Sequence, residues 1–262
     1  MRALHTAATG MMAQELNVQV ISNNIANMRT TAYKRQRAEF QDLLYEHVSR
    51  IGTQTSAQGN QLPVGIDLGS GVKTVGTPRL MTQGTLSPTG APLDLAIRGD
   101  GFFKIQMPDG TFAYTRDGSF QMDAQGRIVT AQGNVVQPAI TIPQNSTGLT
   151  INAQGQVSVI PQGATAPTVI GQLSLTRFVN QAGLLAIGDN MFTETPASGT
   201  PQDGLASTDG MGDIQQGNLE QANVEAVSEI TDLIAAQRAY EMNAKVITAA
   251  DQMLSSTSNL MR

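Results

Sequence analysis

The stretch "ANVEAVSEITDLIAAQRAYEMNAKVITAADQMLSSTSNLM", residues 222–261, contains neither Gly nor Pro. Ala226, Leu233, Tyr240, Ile247, Leu254 and Met261 recur every seven residues, and Ile230, Ile234 and Ala244 widen the stripe. Glu225, Glu229, Asp232, Arg238, Glu241 and Lys245 supply polar faces. This period predicts one long amphipathic helix. At 1.5 Å per residue it would run about 55–60 Å, longer than a typical domain is wide. Such a helix has to find partners for its apolar side.

The opposite end of the chain offers one. Leu4, Met11, Val18 and Ile25 repeat at the same interval, with Ala8, Ile21 and Met28 beside them, predicting a helix over about residues 3–28. Gly10 weakens it by on the order of 1 kcal/mol relative to Ala. The run Ser22, Asn23, Asn24 comes near its end, and Asn27 is placed to cap or stop it. Two helices paired in one subunit cover only part of such long stripes. Assembly with further copies follows as the leading expectation.

Between the helices the texture is different. From about residue 95, "DLAIRGDGFFKIQMPDGTFAYTRDGSFQMDAQGRIVTAQGNVVQP" alternates short β-type runs with the turn signals PDG, RDG and AQG. "LTINAQGQVSVI" and "VIGQLSLTRFV" continue the pattern. The expected fold is therefore α+β and mainly β. It comprises an N-terminal helical segment (1–40), an extended arm (41–80), an antiparallel β domain (81–200), an exposed connection (201–221) and a C-terminal helix (222–262). The two helices would form a coiled-coil-like domain.

Composition narrows the function. Charged residues are 14% of the chain and the net charge is −5, which argues against nucleic-acid binding. There is no cysteine, so disulfides and thiolate chemistry are excluded. No apolar run is long enough to span a membrane, and the N-terminus lacks the apolar block of a secretory signal. With 4% aromatics, the core is expected to rest on Leu, Ile, Val, Met and Ala.

Catalysis finds no support. His5 and His47 stand apart from any Ser or Asp constellation, and "GSGVKT" at 69–74 lacks the Gly directly before Lys that a phosphate loop needs. "GDGFF" at 99–103 is followed by β structure rather than a helix, and Asp203, Asp209 and Asp213 do not have calcium-loop spacing. No catalytic, cofactor or metal residue is assigned.

Three stretches carry a resemblance. "SNNIANMRTTAYKRQRAEF" (22–40) is similar to the N-terminal signature of the bacterial flagellar axial proteins, the rod and hook family. Asn24, Ile25, Ala26, Asn27, Thr30, Tyr33 and Lys34 fit, while Ala32 stands where Gly is usual. "GNLEQANVEAVSEITDLIAAQRAYEMNAKVITAADQML" (217–254) resembles the partner signature through Gly217, Leu219, Glu220, Asn223, Val224, Gln237, Arg238, Tyr240 and Glu241, among others. The β segment, above all "YTRDGSF" (114–120), resembles the family's central domain. Total length and the arm "IGTQTSAQGNQLPVGIDLGSGV" are most like the family's distal-rod branch.

The resemblance implies a structural subunit of the flagellar basal body, stacking into an open helical polymer that acts as a drive shaft through the periplasmic ring bushing. It also implies export by the flagellar type III apparatus without a cleavable signal. The implied partners are proximal rod proteins, the hook protein and the periplasmic and outer-membrane rings. Another axial protein (proximal rod or short hook) is the alternative within the family, and a secreted β-rich adhesin the alternative outside it. The residues expected at the assembly interface are Leu4, Met11, Val18, Asn24, Ile25, Asn27, Leu233, Tyr240, Ile247 and Leu254. Lys34, Arg35, Arg37, Arg238 and Glu241 are expected to form salt bridges between subunits.

Overall fold

The computed structural model describes residues 2–49, 64–163 and 166–260. Arm residues 50–63, and Met261 of the seven-residue series, lie outside the described residues. Two compact units are present. The first comprises Met1–Ala26, Gln36–Pro78 and Glu225–Arg262, and the second Asn27–Arg35 and Arg79–Val224.

In the first unit, helix α1 (Arg2–Ala26) packs against helix α2 (Ala226–Leu260). The described arm residues contribute to two antiparallel ribbons. Strand Glu39–Asp42 pairs with Val72–Gly76, and Tyr45–Ser49 pairs with Ile66–Gly69. Gln36–Pro78, which holds most of the arm, falls in the same unit as the helices.

The buried side of α2 consists of Glu229, Ala236 and Ala250, with half-buried Asn243 between the two alanines. These positions repeat every seven residues, three places on from the expected series. On α1 the buried residues are Ala7, Ala13, Val20, Ile21 and Asn24, whereas Leu4, Met11, Val18 and Ile25 are half-buried. The shift has a steric cause. A Cβ placed on Gly10 would lie 2.9 Å from the Asn243 side-chain nitrogen, so the helix surfaces meet through their smallest residues. Helix separation is set by the side chains at the contact. Small ones let α1 and α2 approach closely and leave large apolar groups of α2 outside.

The second unit is antiparallel β throughout its described pairings. Its largest sheet runs, strand by strand, Leu185–Gly188, Met191–Thr193, Phe112–Thr115, Phe102–Gln106, Val135–Gln137, Ile128–Val129 and Gln121–Met122. Strand Ser174–Arg177 also pairs with Phe102–Gln106, and on its other side with Gln202–Leu205. A three-stranded sheet is built from Ser146–Ile151, Gln156–Pro161 and Thr168–Gln172.

Phe102 and Phe103 are both fully buried because successive side chains point to opposite faces of a strand. Phe103 joins the large cluster with Leu95, Ile105, Val157 and Leu175, while Phe102 packs with Tyr114, Phe178, Leu184 and Phe192. Aromatic residues are few in the chain, but Phe102, Phe103, Tyr114, Phe120, Phe178 and Phe192 are all buried here. The core of this unit therefore leans on aromatics more than its low overall share suggests. Edge-to-face contacts order them, with Tyr114 and Phe178 centroids 4.8 Å apart.

The segment 201–221, expected as an exposed connection, is largely strand. Gln202–Leu205 extends the main sheet, Asp213–Gln216 pairs with Leu95–Arg98, and Asn218–Glu220 pairs with Leu86–Pro88. Ala206, Ile214 and Glu220 are buried. Its Gly and Asp residues form the tight turns between these short strands; Ser207 (φ 63°), Asp209 (φ 49°) and Gly210 (φ 75°) take left-handed backbone angles.

Candidate assembly site

Glu220 ends the short strand Asn218–Glu220 within "GNLEQAN", and a buried carboxylate is costly unless its oxygens are matched. Glu220 is buried, and three donors converge on its carboxylate. The Lys34 amine donates to Oε1 at 2.6 Å and the Gly84 amide to the same oxygen at 2.8 Å. The Arg116 Nε donates to Oε2 at 2.8 Å. The remaining donors are also satisfied: Lys34 reaches the Thr82 carbonyl at 2.8 Å, and Arg116 reaches the Gly99 and Gly101 carbonyls at 2.9 and 3.2 Å. Both cationic side chains are essentially inaccessible to water.

Burial alone would raise the Glu220 carboxyl, but Arg116 and Lys34 outweigh it and hold the group below the usual carboxylate range. Burial, and then Arg116, pull the Lys34 amine below its ordinary value against the pull of Glu220. The directions differ in origin: the two cations hold Glu220 low against burial, whereas burial and the neighbouring Arg116 hold Lys34 low against Glu220.

Each of the three residues comes from a different signature stretch: Lys34 from "TAYKR", Arg116 from "YTRDGSF" and Glu220 from "GNLEQAN". Backbone bonds reinforce the junction. The Ala32 amide donates to the Glu220 carbonyl at 2.7 Å. Asn223 accepts from the Arg35 amide at 2.7 Å and donates to the Leu80 carbonyl and the Thr82 hydroxyl. Residues 27–35 and 218–224, which lead out of α1 and into α2, are thereby held side by side on the β unit. Ala32 makes the turn at φ 56°, the left-handed angle that Gly adopts without cost.

A second polar node lies in the helical unit. The buried Asn24 amide nitrogen donates to the Gln36 carbonyl at 2.9 Å and to Glu229 Oε2 at 3.1 Å, while its oxygen accepts from the Gln36 amide at 3.0 Å. Asn24 thus ties the chain after α1 to the first turn of α2.

The remaining sequence-derived residues are dispersed. Asn27 is half-buried and accepts from the Thr30 hydroxyl at 3.2 Å. Leu233 and Ile247 are half-buried on the flank of α2, whereas Tyr240, Leu254, Arg238 and Glu241 are exposed. Arg37 is exposed and pairs with Glu39 of the same chain at 2.7 Å. Lys34, assigned from sequence to a neighbouring subunit, has its carboxylate partner in its own chain. Glu229 reads from sequence only as a polar-face residue, and Arg116, Gln36 and the alanine seam are not singled out by it. The one legible signal for the buried triad was an isolated acid in a nearly uncharged stretch, opposite a Lys and an Arg in the two other signatures. Among the described residues no group of three or more metal-ligating side chains occurs, and no helix is long and apolar enough to cross a membrane.

Comparison with known proteins bears on what such a junction serves. Residues 4–34 match the family described as flagella basal body rod protein, and residues 96–159 the flagellar hook protein FlgE/F/G D1 domain. Residues 215–260 match the flagellar basal body rod FlgEFG protein C-terminal family. The flagellar basal-body rod protein FlgG of Caulobacter vibrioides is 55% identical over 260 residues, covering 99% of each chain. The chain belongs to the flagellar basal-body rod protein family. Within that family it is also similar to the FlgG protein of Agrobacterium fabrum, at 48% identity over the full length of both. The FlgF rod protein of Caulobacter vibrioides matches at 36% over 94% of this chain. The rod-family matches cover both termini and the centre, and hence all three stretches that supply the Lys34–Glu220–Arg116 junction.

Proposed function

We propose that this rod-family chain is the structural subunit of the distal rod, polymerising through its terminal helices into an open helical shaft that transmits torque. Within one organism, Caulobacter vibrioides, identity to FlgG is 55% and to FlgF 36%, which favours the distal rod over another rod position. The observation that carries the assembly mechanism is the exposure of large apolar side chains along α2. Val227, Ile230 and Ile234 are 73%, 49% and 45% exposed, and they share one face at spacings of three and four. Met242, Val246 and Met253, exposed by 61%, 47% and 64%, form a second stripe. At 100° per residue, the second stripe lies about 100° around the helix from the first.

Burying each such side chain contributes about 1.5–3 kcal/mol. A single stripe would favour a closed pair. Two stripes facing different ways call for two neighbours, and heterologous contacts that do not close build a filament. In the polymer the helices would then pack in a coiled-coil-like manner. The lack of cysteine suits export of an unfolded chain by the type III route. Family membership supports proximal rod, hook and ring proteins as neighbours in the basal body.

Sedimentation and electron microscopy of the purified chain test this reading. Wild type forms filaments; Ile234→Asp and Met242→Asp each leave soluble, folded monomer. Filaments from both variants at wild-type concentrations would remove α2 from the assembly mechanism.

A further inference from the structure

Arg79 opens the β unit's main segment and is half-buried, yet among the described residues no carboxylate comes within 4.0 Å of its guanidinium. Three other cations of this unit have carboxylate partners, Arg98 with Asp213, Lys104 with Asp203 and Arg127 with Asp123, while Arg177 reaches the Gln202 side chain. The Arg79 guanidinium instead lies over the Phe192 ring, 5.8 Å from its centroid, at a cavity of about 250 Å³. Tyr33, Asn27, Asn190 and the exposed Asp189 line the same cavity, Asp189 beyond ion-pair distance of Arg79. Burial lowers the guanidinium's pKa, against a smaller opposing pull from Tyr33.

A planar guanidinium stacked on an aromatic face keeps its N–H edge free for a two-point bond to a carboxylate. The cavity is below the usual size of a small-molecule site, about 300–1,000 Å³, but admits one side chain. Acidic residues outnumber basic ones 21 to 16 in this chain, so copies of it carry carboxylates in surplus. Asp109 and Asp209, on turns of the β unit, are exposed.

We infer that the Arg79 cavity is a socket for an aspartate or glutamate side chain presented by a second copy of the chain. This rests on the polymer reading above and adds to it a polar contact between β units, separate from the apolar stripes of α2. The socket fixes register: a guanidinium–carboxylate pair in a one-residue cavity tolerates little sliding.

The test uses the full-length chain. Phenylglyoxal labelling of wild type, read by mass spectrometry, should modify Arg79 in monomer and at least tenfold less in polymer. Arg79→Gln should raise the critical concentration for polymerisation at least tenfold with an unchanged melting curve. Because the chain has no cysteine, Arg79→Cys can be paired with one cysteine at each exposed acidic position of the β unit in turn, Asp109 and Asp209 first. One pairing should yield disulfide-linked dimers in filaments only. Equal labelling of Arg79 in both states, or wild-type assembly by Arg79→Gln, overturns the socket. Failure of wild type itself to polymerise would instead overturn the reading it rests on.

Discussion

Glu220 concentrates the consequences of single residues. Removing one partner of a buried ion pair leaves an uncompensated charge and costs about 3–5 kcal/mol. Glu220→Gln strands two buried cations, so denaturant unfolding of the β unit should show a loss of that order. The pH dependence follows from the direction of the carboxyl shift. A group whose folded pKa is depressed stabilises above its unfolded value and loses that contribution as pH falls through the folded one. Tyrosine fluorescence across an acid titration should therefore show the wild-type β unit weakening below the ordinary carboxylate range. Glu220→Gln should lack the share that Glu220 supplies, keeping that of Asp109, Asp123 and Asp203, whose carboxyls are also held low.

Ala32 is the second residue with a sharp expectation. A left-handed angle costs a non-glycine residue roughly 1–2 kcal/mol, and losing its buried methyl returns about 0.8 kcal/mol. Ala32→Gly should raise stability by about 0.5 kcal/mol in the same unfolding experiment. The position was visible in the sequence, because Gly is usual there in the resembling family. The buried triad was not, because its three members lie 82 and 104 residues apart, and only the fold brings them to one carboxylate.

Among the elements, α2 shows where periodicity is sufficient and where it is not. Length and the seven-residue interval were readable from the absence of Gly and Pro. The phase was not, because a hydrophobicity pattern ranks the large apolar positions highest and α1 meets the small ones. Ala236 is 3% exposed on the α1 side. Ala236→Leu should destabilise the helix pair by about 1–3 kcal/mol through overpacking, although it adds apolar surface. Loss of helical circular dichroism at lower temperature would register it. The strands of 202–220 were missed for the opposite reason. Each is three or four residues long between turn-forming residues, so no alternation builds up, and their pairing partners lie far away in sequence.

For the whole molecule, the exposed stripes of α2 separate monomer stability from assembly. Ile234 is 45% exposed, so Ile234→Asp should shift the free energy of monomer unfolding by no more than about 0.5 kcal/mol while abolishing polymerisation. Comparing denaturation curves with critical concentrations measures both.

The chain's order of helix, β segment and helix, its freedom from disulfides and its family were set by local pattern: breaker-free heptads, turn dipeptides and three short signatures. Tertiary structure alone decided which side of each helix is used within the chain, that the segment before α2 belongs to the β sheet, and that Lys34 is buried beside Glu220. Periodicity records which side chains avoid water, but not whose surface they avoid it against. That depends on close approach and charge pairing between residues distant in sequence, which only the folded chain brings together.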